Sequence, residues 1–183
     1  MKKLTIEEMK RISLDEFHHS RKIPLVIVLD NVRSLYNVGS VFRTADAFRV
    51  EKIYLCGITG YPPSVEIHKT ALGAEDSVEW EHCKNTLDAV TKLREQGYKI
   101  ISVEQVHNST KLNDWKICED EKYALVLGHE VFGVNQEVVD MSDECVEIPQ
   151  YGTKHSLNIS CSASIVMWSF FNMYAGQSGL FNK

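Results

Sequence analysis

Residues 25–45 read Leu-Val-Ile-Val-Leu-Asp-Asn-Val-Arg-Ser-Leu-Tyr-Asn-Val-Gly-Ser-Val-Phe-Arg-Thr-Ala, and the fold turns on how that stretch divides. Leu25 to Leu29 is a continuous apolar run, which suits a strand buried on both faces of a parallel sheet. From Asn37 the period changes, because Val38, Val41, Phe42, Ala45 and Phe48 recur at helical spacing. Strand, polar loop and helix in succession are the opening of a βαβ unit.

The same alternation continues outward. Short strands are predicted at Ile53–Leu55, near Val78, at Lys99–Val103, at Tyr123–Leu127 and at Cys145–Ile148. A helix is predicted from Asn85 to Glu95, stopped by Gly97. Residues 57–76, with Gly57, Gly60, Pro62, Pro63 and Gly73, read mainly as loop. Thr5 followed by Glu8 is a capping-box pattern and predicts a helix to about His18. Leu157 to Tyr174 is apolar nearly all round, so that helix is expected to be buried. The sum is an α/β domain, a mainly parallel sheet with helices on both faces, whose ligands sit outside the carboxyl ends of the strands.

Composition sets the outer bounds. A chain of 183 residues, 44% hydrophobic and 25% charged, is one globular domain with a proper core. No apolar run is long enough to span a membrane, and no signal-peptide pattern follows the basic start, so the cytoplasm is the expected compartment. The five cysteines are scattered without metal-ligand spacing, which predicts reduced thiols and no metal site. A net charge of −5 argues against wholesale coating of nucleic acid but leaves room for a local basic patch. Lys2, Lys3, Lys10, Arg11, His18, His19, Arg21 and Lys22 form one candidate patch, or simply a solvated helix face.

Chemistry gathers in the loops after three strands. After Leu29 comes the loop to Asn37, which reads either as the helix N-cap or as a site residue. Arg43 lies off the apolar stripe, and the expected helix start puts it one turn in, where the dipole favours an anion. An arginine there calls for a phosphate or carboxylate brought to it. After Leu127 comes Gly128-His129-Glu130-Val131-Phe132-Gly133, where two glycines surround an acid. After Ile148, small polar groups at Ser156, Asn158 and Ser160 open an otherwise apolar helix and offer directed hydrogen bonds. There is no dinucleotide-binding glycine fingerprint, no phosphate-loop lysine and no nucleophile elbow.

These loops resemble the three motifs of the SpoU (TrmH-type) branch of the SPOUT RNA methyltransferases. The first matches at Asn37-Val38-Gly39-Ser40-Val41-Phe42-Arg43-Thr44-Ala45, the second at Leu127-Gly128-His129-Glu130 with Gly133 behind. The third matches at Ile148-Pro149, Gly152 and Ser156-Leu157-Asn158 with Ser160. The resemblance implies a deep trefoil knot in the C-terminal part, a homodimer, and S-adenosylmethionine as methyl donor to a ribose 2′-hydroxyl of RNA. It places the cofactor against Leu127, Gly128, Ile148, Gly152, Ser156 and Leu157. It assigns catalysis to Arg43, Asn37, Glu130, Ser156 and Asn158. The domain spans 25–176 on this reading, with a helical extension at 1–24 and a short tail at 177–183.

The family describes the arginine as an activated base. A guanidinium keeps its proton in proteins, so Arg43 is expected instead to hold a phosphate and stabilise the forming alkoxide. Asn37 would orient Arg43 or the ribose, Glu130 would hold the side chains of the first motif or a substrate group, and Ser156 and Asn158 would fix the arginine and the nucleotide. The roughly two dozen residues before the first strand leave no room for an added RNA-binding domain, which points to tRNA, with a D-loop guanosine as the expected target. The alternatives are a wobble-position or ribosomal RNA methyltransferase, a non-catalytic RNA- or S-adenosylmethionine-binding protein, and a flavodoxin-like small-molecule binder.

Overall fold

The computed structural model describes residues 1–5 and 7–178. In chain order the elements are α1 (Leu14–His19), β1 (Ile23–Asp30), α2 (Leu35–Ala47), β2 (Val50–Cys56), α3 (Val65–Ala71), α4 (Ala74–Ser77) and β3 (Glu79–Cys83). They continue with α5 (Thr86–Glu95), β4 (Tyr98–Val103), β5 (Thr110–Lys111), β6 (Lys122–Leu127), α6 (Gln136–Met141), β7 (Glu144–Glu147) and α7 (Ile159–Ser178). The seven strands form one sheet in the order β3-β2-β1-β6-β4-β7-β5, with every strand pair parallel.

The central strands explain this arrangement. Leu25, Ile27 and Leu29 of β1, with Tyr123, Leu125 and Leu127 of β6, point into a core shared with α2, α3 and α7. Val26, Val28, Ala124 and Val126 point the other way, onto Ala89, Val90 and Leu93 of α5 and Val138 of α6. Both faces of β1 are covered, which is why its sequence is a run rather than an alternation. Each fully buried Val, Leu or Ile contributes about 1.5–3 kcal/mol, so these two strands anchor the domain.

Several elements differ from expectation. Residues 57–76 are not mainly loop, since α3 and α4 lie within them. The Ser64 hydroxyl caps α3 at the Ile67 amide, Leu72 ends it in the left-handed region at φ 54°, and Gly73 starts α4 at φ 93°. Helices this short have no readable period, and Gly73, which looks like a breaker, is the N-cap of α4, while Pro62 and Pro63 stand just before the Ser64 cap of α3. At the N-terminus Thr5 and Glu8 do make the reciprocal cap bonds, 2.7 and 3.3 Å, yet only a turn follows. The helix there is α1, opened by a second capping box, Ser13 with Glu16. Among the described residues of the predicted longer helix only Phe17 is buried, and isolated helices of that length are marginal. The strand near Val78 begins at Glu79, and α6 and β5 escaped the sequence reading altogether.

The last helix is also not buried all round. Ile159, Ala163, Val166, Met167, Phe170 and Tyr174 face the core, but Cys161, Ile165, Trp168 and Asn172 form an exposed stripe. The sheet and α2 cover one side of α7, and nothing among the described residues covers the other. No helix among the described residues is long and apolar enough to cross a membrane. The expected tail at 177–183 lies, beyond Ser178, outside the described residues.

Candidate active site

All three chemistry-bearing loops leave the carboxyl edge of the sheet, from the adjacent strands β1 and β6 and from β7 across β4. The loop after β1 ends in a cap, because the Ser34 hydroxyl accepts from the Asn37 amide at 3.3 Å. Ser34 is therefore the N-cap, and the Asn37 side chain is left for other work. Its amide nitrogen donates to Glu130 Oε1 at 3.1 Å. Glu130 also accepts from the backbone amides of Ser34, at 3.0 Å on Oε1, and Arg33, at 3.1 Å on Oε2. One carboxylate thus clamps the first loop to the second.

The chain of bonds continues into the third loop. Asn158 Nδ2 donates to Asn37 Oδ1 at 3.3 Å, and Asn158 Oδ1 accepts from the Ser160 amide at 2.9 Å and its hydroxyl at 2.6 Å. On the helix pair behind, Thr44 and Ser164 share a hydroxyl contact of 3.1 Å. Burial would raise the Glu130 carboxyl, but the bonds from Arg33, Ser34 and Asn37, with its own backbone amide, outweigh it and hold it below the ordinary carboxylate range.

Beside this chain lies a cavity of about 520 Å³, lined by the ends of β4, β6 and β7 and by residues 155–159. That volume suits a nucleoside-sized ligand. Leu127, Gly128, Ile148, Ser156 and Leu157 all line it, as do Glu130 and Asn158. Gly128 is there for want of space: a Cβ would sit 2.0 Å from the Gly133 carbonyl carbon and 2.1 Å from the Val134 nitrogen. Gly133, at φ 69°, closes the loop by a reciprocal pair of backbone bonds with His129, 3.0 and 2.9 Å. His129 Nδ1 accepts from the Val131 amide at 2.9 Å, so this ring stabilises the turn and its proton sits on Nε2.

Other expected residues fall elsewhere. Gly152 is exposed, has open space around it, and is not among the residues lining the cavity. Ser156 is exposed on the lining and has no hydrogen bond among the described residues. Arg43 is exposed, without a hydrogen-bond or ion-pair partner among the described residues. It also lies in the third turn of α2, near the Ala47 end, because the helix begins at Leu35 rather than at Asn37. The dipole argument for an anion at Arg43 therefore fails, and the exposed, uncompensated charge is what remains of it. No cluster of His, Cys, Asp or Glu among the described residues could hold a metal.

Glu104 and Gln105 are among the residues of the cavity wall that the sequence reading missed. Glu104 follows β4, and its carboxylate accepts from the Val134 amide at 3.0 Å and the Gln105 amide at 2.9 Å. Gln105 Nε2 donates to the His155 carbonyl at 2.9 Å and pins the third loop over the cavity. A signal existed, since both stand directly at the carboxyl end of a strand.

The family model for the SpoU rRNA methylase family matches residues 24–168. The chain belongs to that family. It is 30% identical over 161 residues to a Staphylococcus haemolyticus protein assigned to the TrmH family of tRNA/rRNA methyltransferases, covering 86% of this chain and 64% of that one. It is 30% identical over 155 residues to the 23S rRNA (guanosine-2′-O-)-methyltransferase RlmB of Nitrosomonas europaea, covering 85% and 58%. The chain therefore spans less than two thirds of either relative. Among solved structures, the Aquifex aeolicus TrmH/SpoU tRNA-modifying enzyme superposes at TM-score 0.80 with 23% identity, covering 93% of this chain and 86% of that one. The AdoMet-bound rRNA methyltransferase of Sinorhizobium meliloti superposes at 0.75 with 26% identity, covering 88% and 61%.

Proposed function

We propose that this SpoU-family chain transfers a methyl group from S-adenosylmethionine to a ribose 2′-hydroxyl of RNA. The observation that carries it is the placing of the cavity beside the bonded chain Glu130, Asn37, Asn158 and Ser160, with Arg43 left without a partner among the described residues on α2, the helix that carries Asn37. The cofactor fits this wall, because the cavity of about 520 Å³ is of nucleoside size and is lined by Leu127, Ile148 and Leu157 with the backbone of Gly128 packed tight against Gly133 and Val134. Bound there, S-adenosylmethionine supplies an electrophilic methyl on a sulfonium. Leu127, Gly128, Ile148, Ser156 and Leu157 would hold it, while Gly152, which stands apart, would act through the loop it belongs to.

Glu130 and Asn37 fix the first loop, and Asn158 carries that order to α7. Arg43 binds an RNA phosphate and stabilises the alkoxide as the hydroxyl proton leaves to an RNA phosphate or water. The family's knot is proposed for this chain as well, on the position of β7 between β4 and β5, which are consecutive in sequence. So is the homodimer, on the exposed stripe of α7 centred on Trp168, 54% exposed and stacked on Phe171. We keep the division into an extension at 1–24, a methyltransferase domain at 25–176 and a tail, and place the protein in the cytoplasm, where its five free cysteines would stay reduced.

Transfer RNA is the first substrate to test, at a D-loop guanosine. Ribosomal RNA is the second reading, favoured by the relative named a 23S rRNA methyltransferase. The test is transfer of tritium from labelled S-adenosylmethionine to bulk tRNA and to ribosomal RNA, followed by nucleoside mass spectrometry. A 2′-O-methylnucleoside in either RNA is the expected result. Cofactor binding without transfer to either would replace the enzyme by a binding protein.

A further inference from the structure

We propose that Tyr61 is a stacking platform for an unpaired base of the RNA substrate, flanking the site of methyl transfer; this rests on the RNA reading above. Tyr61 is 50% exposed, yet its ring is held from behind by two others on the edge strand. Its centroid lies 4.5 Å from that of His82 and 6.0 Å from that of Trp80, the latter at an interplanar angle of 28°. Trp80 and His82 are two apart on β3, so they face the same side and make one backing surface. A ring with a supported back and an open front can accept a base without losing side-chain freedom of its own.

The platform is also fixed relative to the reaction centre. The loop carrying Tyr61 is tied to the first catalytic loop by Ile58 N to Asn31 Oδ1 at 3.1 Å and Val32 N to Thr59 Oγ1 at 2.9 Å. Thr59 Oγ1 donates onward to the Leu29 carbonyl at 3.1 Å, and Gly60 lies against Leu35, leaving no space for a Cβ. All of this stands on the same carboxyl edge of the sheet as Asn37 and Glu130.

Charge on the same edge of the sheet selects the partner. Arg33, in the first catalytic loop, and Lys84, directly after β3, are exposed, and neither side chain has a partner among the described residues. Uncompensated cations on the same sheet edge as an open ring match a phosphate backbone with splayed bases rather than a protein or a lipid surface.

The experiment measures binding of fluorescein-labelled oligouridylate and of unmodified bulk tRNA, together with S-adenosylmethionine binding, for wild type, Tyr61→Leu, Tyr61→Phe and Tyr61→Trp. Tyr61→Leu keeps Trp80 covered but removes the ring, and should weaken both RNAs about tenfold with cofactor affinity unchanged. Tyr61→Phe should bind like wild type and Tyr61→Trp at least as well. Lys84→Ala should flatten the dependence of log affinity on log salt by about 0.7. Wild-type affinity in Tyr61→Leu, or equal loss in Tyr61→Phe, overturns the platform. If Tyr61→Leu does not fold, a loss in either Tyr61→Phe or Tyr61→Trp overturns it. Wild type that methylates RNA while these variants are indifferent removes this inference alone, whereas wild type that binds no RNA removes the RNA reading with it.

Discussion

Replacing Glu130 by Gln tests the clamp between the first two loops. The substituted amide has one acceptor oxygen where the carboxylate has two. Set at the position of Oε1, that oxygen keeps the Ser34 and Asn37 bonds and turns the new NH2 toward the Arg33 amide, donor against donor. The other orientation loses two bonds, so the first prevails. Hydrogen bonds to charged groups contribute about 1.5–3 kcal/mol, and Arg33 is exposed enough for water to recover part of it, which leaves a loss of about 1–2 kcal/mol. For a domain of this size the melting temperature should fall by roughly 2–8 °C. The Asn37 bond kept in Glu130→Gln is to a neutral oxygen instead of a charged one, so Asn37→Ala should cost less in that background, with a coupling of about 1 kcal/mol by urea denaturation. The pH dependence has a fixed direction. The folded carboxyl is held below its unfolded value, so its stabilisation is complete above the ordinary glutamate pKa of about 4.3 and is lost as pH falls through the lower, folded value. Wild type and Glu130→Gln should therefore converge in acid. An additive cycle, within about 0.5 kcal/mol, together with a difference that persists at low pH, would refute the clamp.

The remaining expectations concern the cavity, the charge and the exposed helix. Gly128→Ala must displace backbone at Gly133 and Val134, so it should cost about 1–3 kcal/mol and weaken S-adenosylmethionine at least about tenfold by calorimetry; normal values for both would show that the wall yields. Arg43→Ala should abolish turnover while cofactor affinity stays within a few-fold, and near-normal turnover in Arg43→Lys would show that the planar guanidinium is not needed. Trp168→Glu puts a charge on the exposed stripe of α7 and should convert a dimer to monomer in light scattering; an unchanged mass would place the interface elsewhere.

The legible parts of the fold are those whose pattern is long enough to have a period. β1 and β6 read as buried strands because both faces of each are covered, and α2 reads as a helix because Val38, Val41, Phe42 and Ala45 share one buried face. α3 and α4 are too short for that, and Gly73 carries two opposite meanings, a breaker in sequence and a cap in space. In the site, Asn37, Glu130 and Asn158 stand out as polar residues at strand ends or a helix start, so their loops could be found. Their mutual bonds could not, since residues 93 and 121 positions apart meet only through the order of strands in the sheet. The bond from the Val134 amide to Glu104 was hidden for the same reason, although the place of Glu104 at a strand end was legible. The misplacing of Arg43 has a smaller cause: Ser34, not Asn37, caps α2.

That small shift bears on what Arg43 can do. Glu130 has no donor of its own, so it compels Asn37 to turn its NH2 inward and its oxygen outward. Asn158 must then present its NH2 to Asn37, which leaves its oxygen for Ser160. The direction of every bond in the chain follows from one negative charge, and Arg43 has no place in it. The charge of Glu130 is met by amides, so it neither balances the guanidinium nor draws a proton from it. On the proposed reading, a cation without a counter-ion among the described residues would find one in the phosphates of an RNA substrate. Arg43 would then act by holding negative charge where it develops, and the proton of the attacking hydroxyl would leave by another route.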